Sequence, residues 1–217
     1  MGALTRAGSV GPGSLTSRAL ARERALRLEY LTVGWNLVEG SIAVAAATAA
    51  GSIALLAFGI DSFVESASAG ILIWRLRAEV RSPDRAAVER LDRRAHQLVG
   101  ISLFLLAAYI AFDAGATLWR RDQPHPSVVG IILATVSIGV MVWLARAKRR
   151  AAVALGSRAM EADSFQTTAC WWLSIITLGG IGLNAVAGWW WADPVAALGM
   201  TALLVREGRE AWRGEDC

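Results

Sequence analysis

The stretch Ala57-Phe58-Gly59-Ile60-Asp61-Ser62-Phe63-Val64-Glu65-Ser66 sets two carboxylates four residues apart inside a run, residues 53–74, that holds no lysine or arginine. Without those acids the run would read as an ordinary membrane span. On a helix, positions i and i+4 share one face about 6 Å apart, where two like charges repel unless a cation or a proton joins them. Such a pair serves a structural role poorly and a cation well. A second polar interruption, Glu161-Ala162-Asp163-Ser164-Phe165-Gln166-Thr167-Thr168-Ala169-Cys170, opens another apolar run further along. The two stretches are expected to face each other around a metal ion.

Composition gives the setting for these acids. The chain has 217 residues, 55% of them hydrophobic, with ten tryptophans and a mean hydropathy of +0.44. The apolar residues come in blocks of roughly 20, the length of helix that crosses about 30 Å of hydrocarbon. An all-α, polytopic membrane protein is expected. A soluble helical bundle would show a regular polar stripe along its helices, and none is read here.

Six spans follow, at about 29–49, 53–76, 95–119, 127–147, 157–187 and 193–205. Residues 1–28 read as a mobile basic tail leading into a helical extension, with no small-residue cleavage site of a signal peptide. Residues 29–212 form the six-helix domain, and 213–217 a short tail. Gly51-Ser52 is a tight turn, the charged stretch 77–94 a solvated loop with a short helix after Pro83, and Gly179, Gly180 and Gly182 are points of bending or close contact. Asp193-Pro194 starts the last span, with Asp as cap and Pro in the first turn.

Of the 22 basic residues only Arg120 and Arg121 fall outside the segments assigned to one side, which places 20 of them, and both termini, in the cytoplasm. The net charge of +4 is thereby topology, and nucleic acid is not an expected partner. Cys170 lies within a span and Cys217 at the last position, so no disulfide framework is implied.

A carboxylate near the bilayer centre costs several kcal/mol by insertion measurements, about 3 kcal/mol each. Six acids qualify as functional candidates on that ground: Glu39, Asp61, Glu65, Asp113, Glu161 and Asp163. At a rise of about 1.5 Å per residue, Asp61 and Glu65 stand about 12 and 18 Å from the outer face. By the same measure Asp163, Gln166 and Cys170 come to about 21, 16 and 10 Å from that face, within a turn of the two acids. Positions 163, 166 or 167, and 170 share one helix face, and their oxygens and sulfur would complete a four-coordinate site with Asp61 and Glu65. Glu39 with Asn36, and Asp113 with Tyr109, read as residues that hydrogen-bond neighbouring helices or relay protons. Glu161 reads as a solvated residue near the inner face.

At these stretches the sequence resembles the cation diffusion facilitator family of divalent-metal exporters. That family has six spans, and its second and fifth carry an Ala-Asp-x-x-His/Asp-x-x-x-Asp pattern whose last two positions bind metal. Residues 57–65 resemble it with Asp61 and Glu65 on those positions, and residues 162–170 with Gln166 and Cys170. The two stretches also align on their shared Asp-Ser-Phe, a register that favours Asp163 with Thr167. The resemblance covers residues 30 to 212, including the late Trp-x-Asp-Pro, without the family's cytoplasmic metal-sensing and dimerising domain. His96 and His125 are not expected ligands.

The resemblance implies a secondary transporter that exports a divalent transition metal, most of all zinc, in exchange for protons. The expected partners are the metal, protons, bilayer lipid and a second copy of the chain joined through small residues of the spans, with the inner (plasma) membrane as its place. No prosthetic group, enzyme activity or nucleotide is expected, since no Gly-x-x-x-x-Gly-Lys motif and no Ser-His grouping occur. The alternative is a membrane subunit that senses or binds metal without moving it.

Overall fold

A computed structural model describes residues 12–81 and 85–213. The described residues form six α-helices: α1 Pro12–Ala50, α2 Ile53–Arg81, α3 Arg85–Arg120, α4 Val128–Leu155, α5 Arg158–Ala187 and α6 Ala192–Arg213. Each expected span falls on one of them, the fourth and fifth beginning on the capping serines Ser127 and Ser157. Residues 1–11 of the expected tail, Pro83 and residues 214–217 lie outside the described residues. The basic extension and the first span are one helix, because α1 runs through residues 28 and 29 without a break. Likewise the short helix expected after Pro83 joins the third span, as nothing between Arg85 and Arg120 interrupts the hydrogen-bond ladder.

Two tight turns set the helices side by side. Gly51 at φ 69° ends α1, and Gly156 at φ 59° ends α4, each followed at once by a serine that caps the next helix. The Ser52 hydroxyl accepts from Leu55 N at 3.1 Å, and Ser157 does the same for Met160 N at 3.4 Å. Asp193, at the start of α6, adds to the first cap: its carboxylate accepts from Ile53 N at 3.0 Å and from the Ser52 hydroxyl. A buried negative charge thus sits on the positive end of the α2 dipole, and this fixes where α2 begins.

Helices α1, α2, α5 and α4 close a ring in that order, and the α3–α6 pair lies against α2 and α5. Close approach requires small residues. A Cβ on Gly59 would lie 2.9 Å from Ala43 Cβ, and one on Gly180 would lie 2.7 Å from Ala196 Cβ, so α5 uses Gly180 for contact with α6.

Polarity runs opposite to that of a soluble bundle. Large apolar side chains face outward, among them Leu105, Phe112, Trp119 and Val186, the last 91% exposed, while the charged Glu29, Glu39, Asp61, Glu65 and Lys148 are buried. Four helical stretches among the described residues are long and apolar enough to cross a bilayer: Ile53–Ala78, Leu103–Arg120, Val128–Leu155 and Gln166–Ala187. Helix α1 falls short because it does carry a polar stripe, which the sequence reading missed. Glu29, Thr32, Asn36 and Glu39 follow helical spacing and are at most 1% exposed, facing the ring interior where lipid never meets them.

Inside the ring the layers alternate. An apolar cluster with Ala43, Ala47, Ile53, Phe58 and Leu173 fills the end near the α1–α2 turn. A second, with Ala25, Leu72, Leu76, Ala151 and Met160, fills the other end. The polar residues lie between them.

Candidate cation site between helices α2 and α5

The facing surfaces of α2 and α5 run antiparallel, and their polar residues pair like rungs. At the first rung the Cys170 thiol donates to Asp61 Oδ2 at 3.4 Å. One turn along, the Thr167 hydroxyl donates to Glu65 Oε1 at 3.1 Å. At the third, the Ser68 hydroxyl donates to Gln166 Oε1 at 2.9 Å. Asp61, Glu65, Thr167 and Cys170 are all nearly inaccessible to solvent.

Helical spacing explains the order. Residues 61, 65 and 68 lie on one face of α2, and 170, 167, 166 and 163 on one face of α5. Of the residues expected to bind metal, Asp61, Glu65 and Cys170 come together, with Thr167 beside them. Gln166 is engaged by Ser68 below. Asp163 lies beyond that rung, where Lys148 Nζ pairs with its Oδ2 at 2.6 Å and with Glu29 Oε2 at 3.2 Å. Each of the two expected α5 registers thus contributes one residue to the acids: Cys170 from the first and Thr167 from the second.

Among the described residues no three Asp, Glu, Cys or His side chains converge as a ready-made metal centre. The donors are paired through hydrogen atoms instead. A cation seated there would take the place of the thiol proton on Asp61 and draw Glu65 toward the same point. Glu65 Oε2 has no hydrogen-bond partner, which leaves that carboxylate a free oxygen.

Glu39 borders this layer from α1. The Ser62 hydroxyl donates to Glu39 Oε2 at 3.2 Å, and Ser137 of α4 meets Ser174 of α5 at 3.1 Å. Asp113 is half-buried on α3, Glu161 is exposed, and His125 is exposed, its backbone N–H donating to Ala50 O. The side chain of His96 lies outside the described ones.

Sequence reasoning missed Lys148 and Glu29. Lys148 opens the basic run Lys148-Arg149-Arg150 at the end of the fourth span, yet it is 0% exposed. The signal was present: Met141, Leu144, Lys148, Ala151 and Ala152 fall on one helical face, while Arg146, Arg149 and Arg150 fall on the other and are exposed.

Comparison with known proteins agrees with this architecture. Over 177 residues the chain is 29% identical to an uncharacterized transporter of Synechocystis sp., covering 78% of this chain and 56% of that protein. Over 157 residues it is 27% identical to the cation-efflux pump FieF of Shewanella oneidensis, covering 68% of this chain and 51% of the pump. The chain thus spans about half the length of the curated relatives it matches. The family model for the cation efflux transmembrane domain matches residues 31–213, which takes in the second half of α1 and all of α2 through α6. On that match the chain belongs to the cation efflux family.

Proposed function

We propose that the chain exports a divalent transition metal, zinc foremost, through the layer between α2 and α5. One observation carries the reading: two carboxylates one turn apart are buried in the ring and are met from α5 by a thiol and a hydroxyl. Residues 28–50, 53–74, 128–145 and 159–187, the parts of the ring at that depth, contain no lysine or arginine. A mobile cation supplies the missing charge. Two carboxylates with a thiolate and a hydroxyl give three oxygens and one sulfur, a set that suits zinc or cadmium better than magnesium or calcium.

Exchange with protons follows from the same chemistry. The acids and the thiol must lose protons to bind metal and regain them to release it. The apolar clusters at both ends of the ring keep the polar layer from being open to both sides at once, as alternating access demands. Cation efflux, the activity for which the Shewanella relative is named, supports the direction of transport. Both termini are placed in the cytoplasm of a cell whose plasma membrane holds the six helices, and a reporter after Cys217 that works only outside would reverse that topology.

Liposomes holding only the purified chain test the proposal. Zinc is expected to cross, with protons moving the other way, and Asp61→Ala is expected to abolish flux while the protein remains in the membrane. Full flux by that variant removes Asp61 from the mechanism. Zinc that binds to the wild type and never crosses makes the chain a sensing subunit.

A further inference from the structure

Helix α6 carries an acid that the paired rungs of α2 and α5 do not include. Met200, Leu204 and Glu207 follow helical spacing, and the first two belong to the apolar cluster inside the molecule at 0% exposure. Glu207 is the next residue on that inward face, two positions past the expected end of the last span. Contacts between α5 and α6 set its level. The Thr177 hydroxyl donates to Met200 Sδ at 3.6 Å, and Gly180 meets Ala196 one turn nearer the α5–α6 turn. The two helices are thus antiparallel, and seven residues back along α5 and seven forward along α6 bring Cys170 level with Glu207.

The electrostatic neighbours of Glu207 agree with that level. The charged groups that act on it are first Asp61 and Glu65 of α2, then Glu210 and Arg206 of its own helix, and Glu207 acts in turn on Cys170. Arg206 and Glu210 pair with each other at 2.9 Å on the exposed side of α6. Toward the ring, then, Glu207 faces carboxylates and a thiol.

Two observations set Glu207 apart from the acids it faces. Its Oε1 is buried without a hydrogen-bond partner although the residue as a whole is only half-buried, whereas Asp61 and Glu65 are 3% and 1% exposed. Glu207 therefore straddles the edge of the sealed layer. The second concerns the apolar cluster that closes the ring at the end away from the α1–α2 turn. Its described residues come from α1, α2, α4 and α5, and none from α6, so Glu207 stands on the flank which that cluster leaves uncovered. Buried polar atoms are nearly always hydrogen-bonded, and a free carboxylate oxygen that faces two further carboxylates suits a cation.

We infer that Glu207 is a way station for the metal, a carboxylate that takes the divalent cation from the cytoplasmic side along α6 and hands it to Asp61, Glu65 and Cys170. This rests on the metal-export reading above. A single carboxylate supplies too few ligands to hold such an ion, which keeps part of its water shell there and moves on. Passage needs sites that attract an ion without trapping it. Glu207 attracts by charge, and the site beyond it offers the fuller set of oxygens and sulfur.

The test uses the purified full chain in detergent, with zinc as the metal, stopped-flow mixing and a zinc-chelating dye that reports free metal. Glu207→Gln should take up zinc about tenfold more slowly. It should also release zinc more slowly, because a station on the way serves both directions, and affinity should change less than either rate. Glu207→Asp, which keeps the carboxylate, should lie closer to the wild type in both. Glu161→Gln, which removes an exposed acid from the first turn of α5, should leave both rates unchanged. Slower uptake with unchanged or faster release would mean that Glu207 only adds charge to the metal site, and equal slowing by Glu161→Gln would mean that surface charge is responsible. Either result overturns the inference. Unchanged rates in Glu207→Gln remove it and leave the export reading standing, whereas wild-type protein that binds no zinc removes both.

Discussion

Glu29 and Asp163 meet a lysine, whereas Asp61 and Glu65 meet a thiol and a hydroxyl. Both groups are buried in the same ring, and α5 contributes to both. The difference lies in where the positive charge comes from. Lys148 is fixed to α4 by its own backbone, so the first group carries a cation of its own. The second group has only neutral donors, and on the proposed function its charge is met by an ion that arrives and leaves. On the proposed function, folding and transport lean on different acids, and substitutions should separate them.

The largest expected effect is on folding. Lys148→Met leaves Glu29 and Asp163 buried without their cation, and removing one partner of a buried ion pair costs about 3–5 kcal/mol. A large fall in thermal stability in detergent is expected, recovered when Glu29→Gln and Asp163→Asn are added. Asp61→Asn should behave the other way, since it relieves like-charge repulsion with Glu65: stability within about 1 kcal/mol of wild type and transport lost. Equal destabilisation by Lys148→Met and Asp61→Asn would erase the distinction.

A smaller effect tests what keeps the two groups in register. Gly59 lies against Ala43 of α1, where an added Cβ would come within 2.9 Å of the Ala43 Cβ. Overpacking of this kind costs about 1–3 kcal/mol. Gly59→Ala should also push α2 away from α1 and loosen the bond from Ser62 to Glu39. Transport should fall more steeply than stability, which compares flux per folded protein with the melting temperature. If both fall in proportion, the α1–α2 spacing matters to the fold alone.

Much of this contrast was legible in the sequence, and the part that was not has a physical cause. Asp61, Glu65 and Cys170 stood out because a polar residue in an apolar run is visible without knowing its neighbours. Their matching levels on α2 and α5 followed from helical rise alone. Lys148 was hidden by its setting, since Arg146, Arg149 and Arg150 surround it and a window average sees only a basic end. Helical phase, not composition, separates it from them. The placement of Gln166 and Asp163 depended on how α5 is rotated against α2. That rotation is set by contacts such as Gly180 on Ala196 and by the Asp193 cap on α2, which join residues far apart in the chain. The fused third helix was missed for a local reason: the charged run after Pro83 looks like a loop, although nothing between Arg85 and Arg120 interrupts the helix.

The finest distinction concerns which metal the second group accepts. Cys170 contributes one atom to the site, and Cys170→Ser replaces sulfur by oxygen at nearly the same place. Sulfur favours zinc and cadmium, while oxygen ligands suit manganese, so the exchange should alter selectivity more than affinity. Preference for cadmium over manganese is expected to fall about tenfold, equivalent to about 1.4 kcal/mol. Stability should hardly change, because a serine hydroxyl can donate to Asp61 as the thiol does. Competition between cadmium and manganese for flux through the same liposomes reads the ratio directly. An unchanged ratio would mean that the sulfur does not touch the ion. Cys170 would then belong with Thr167 as a hydrogen-bond donor that holds its acid in place, and the metal would be recognised by carboxylates alone.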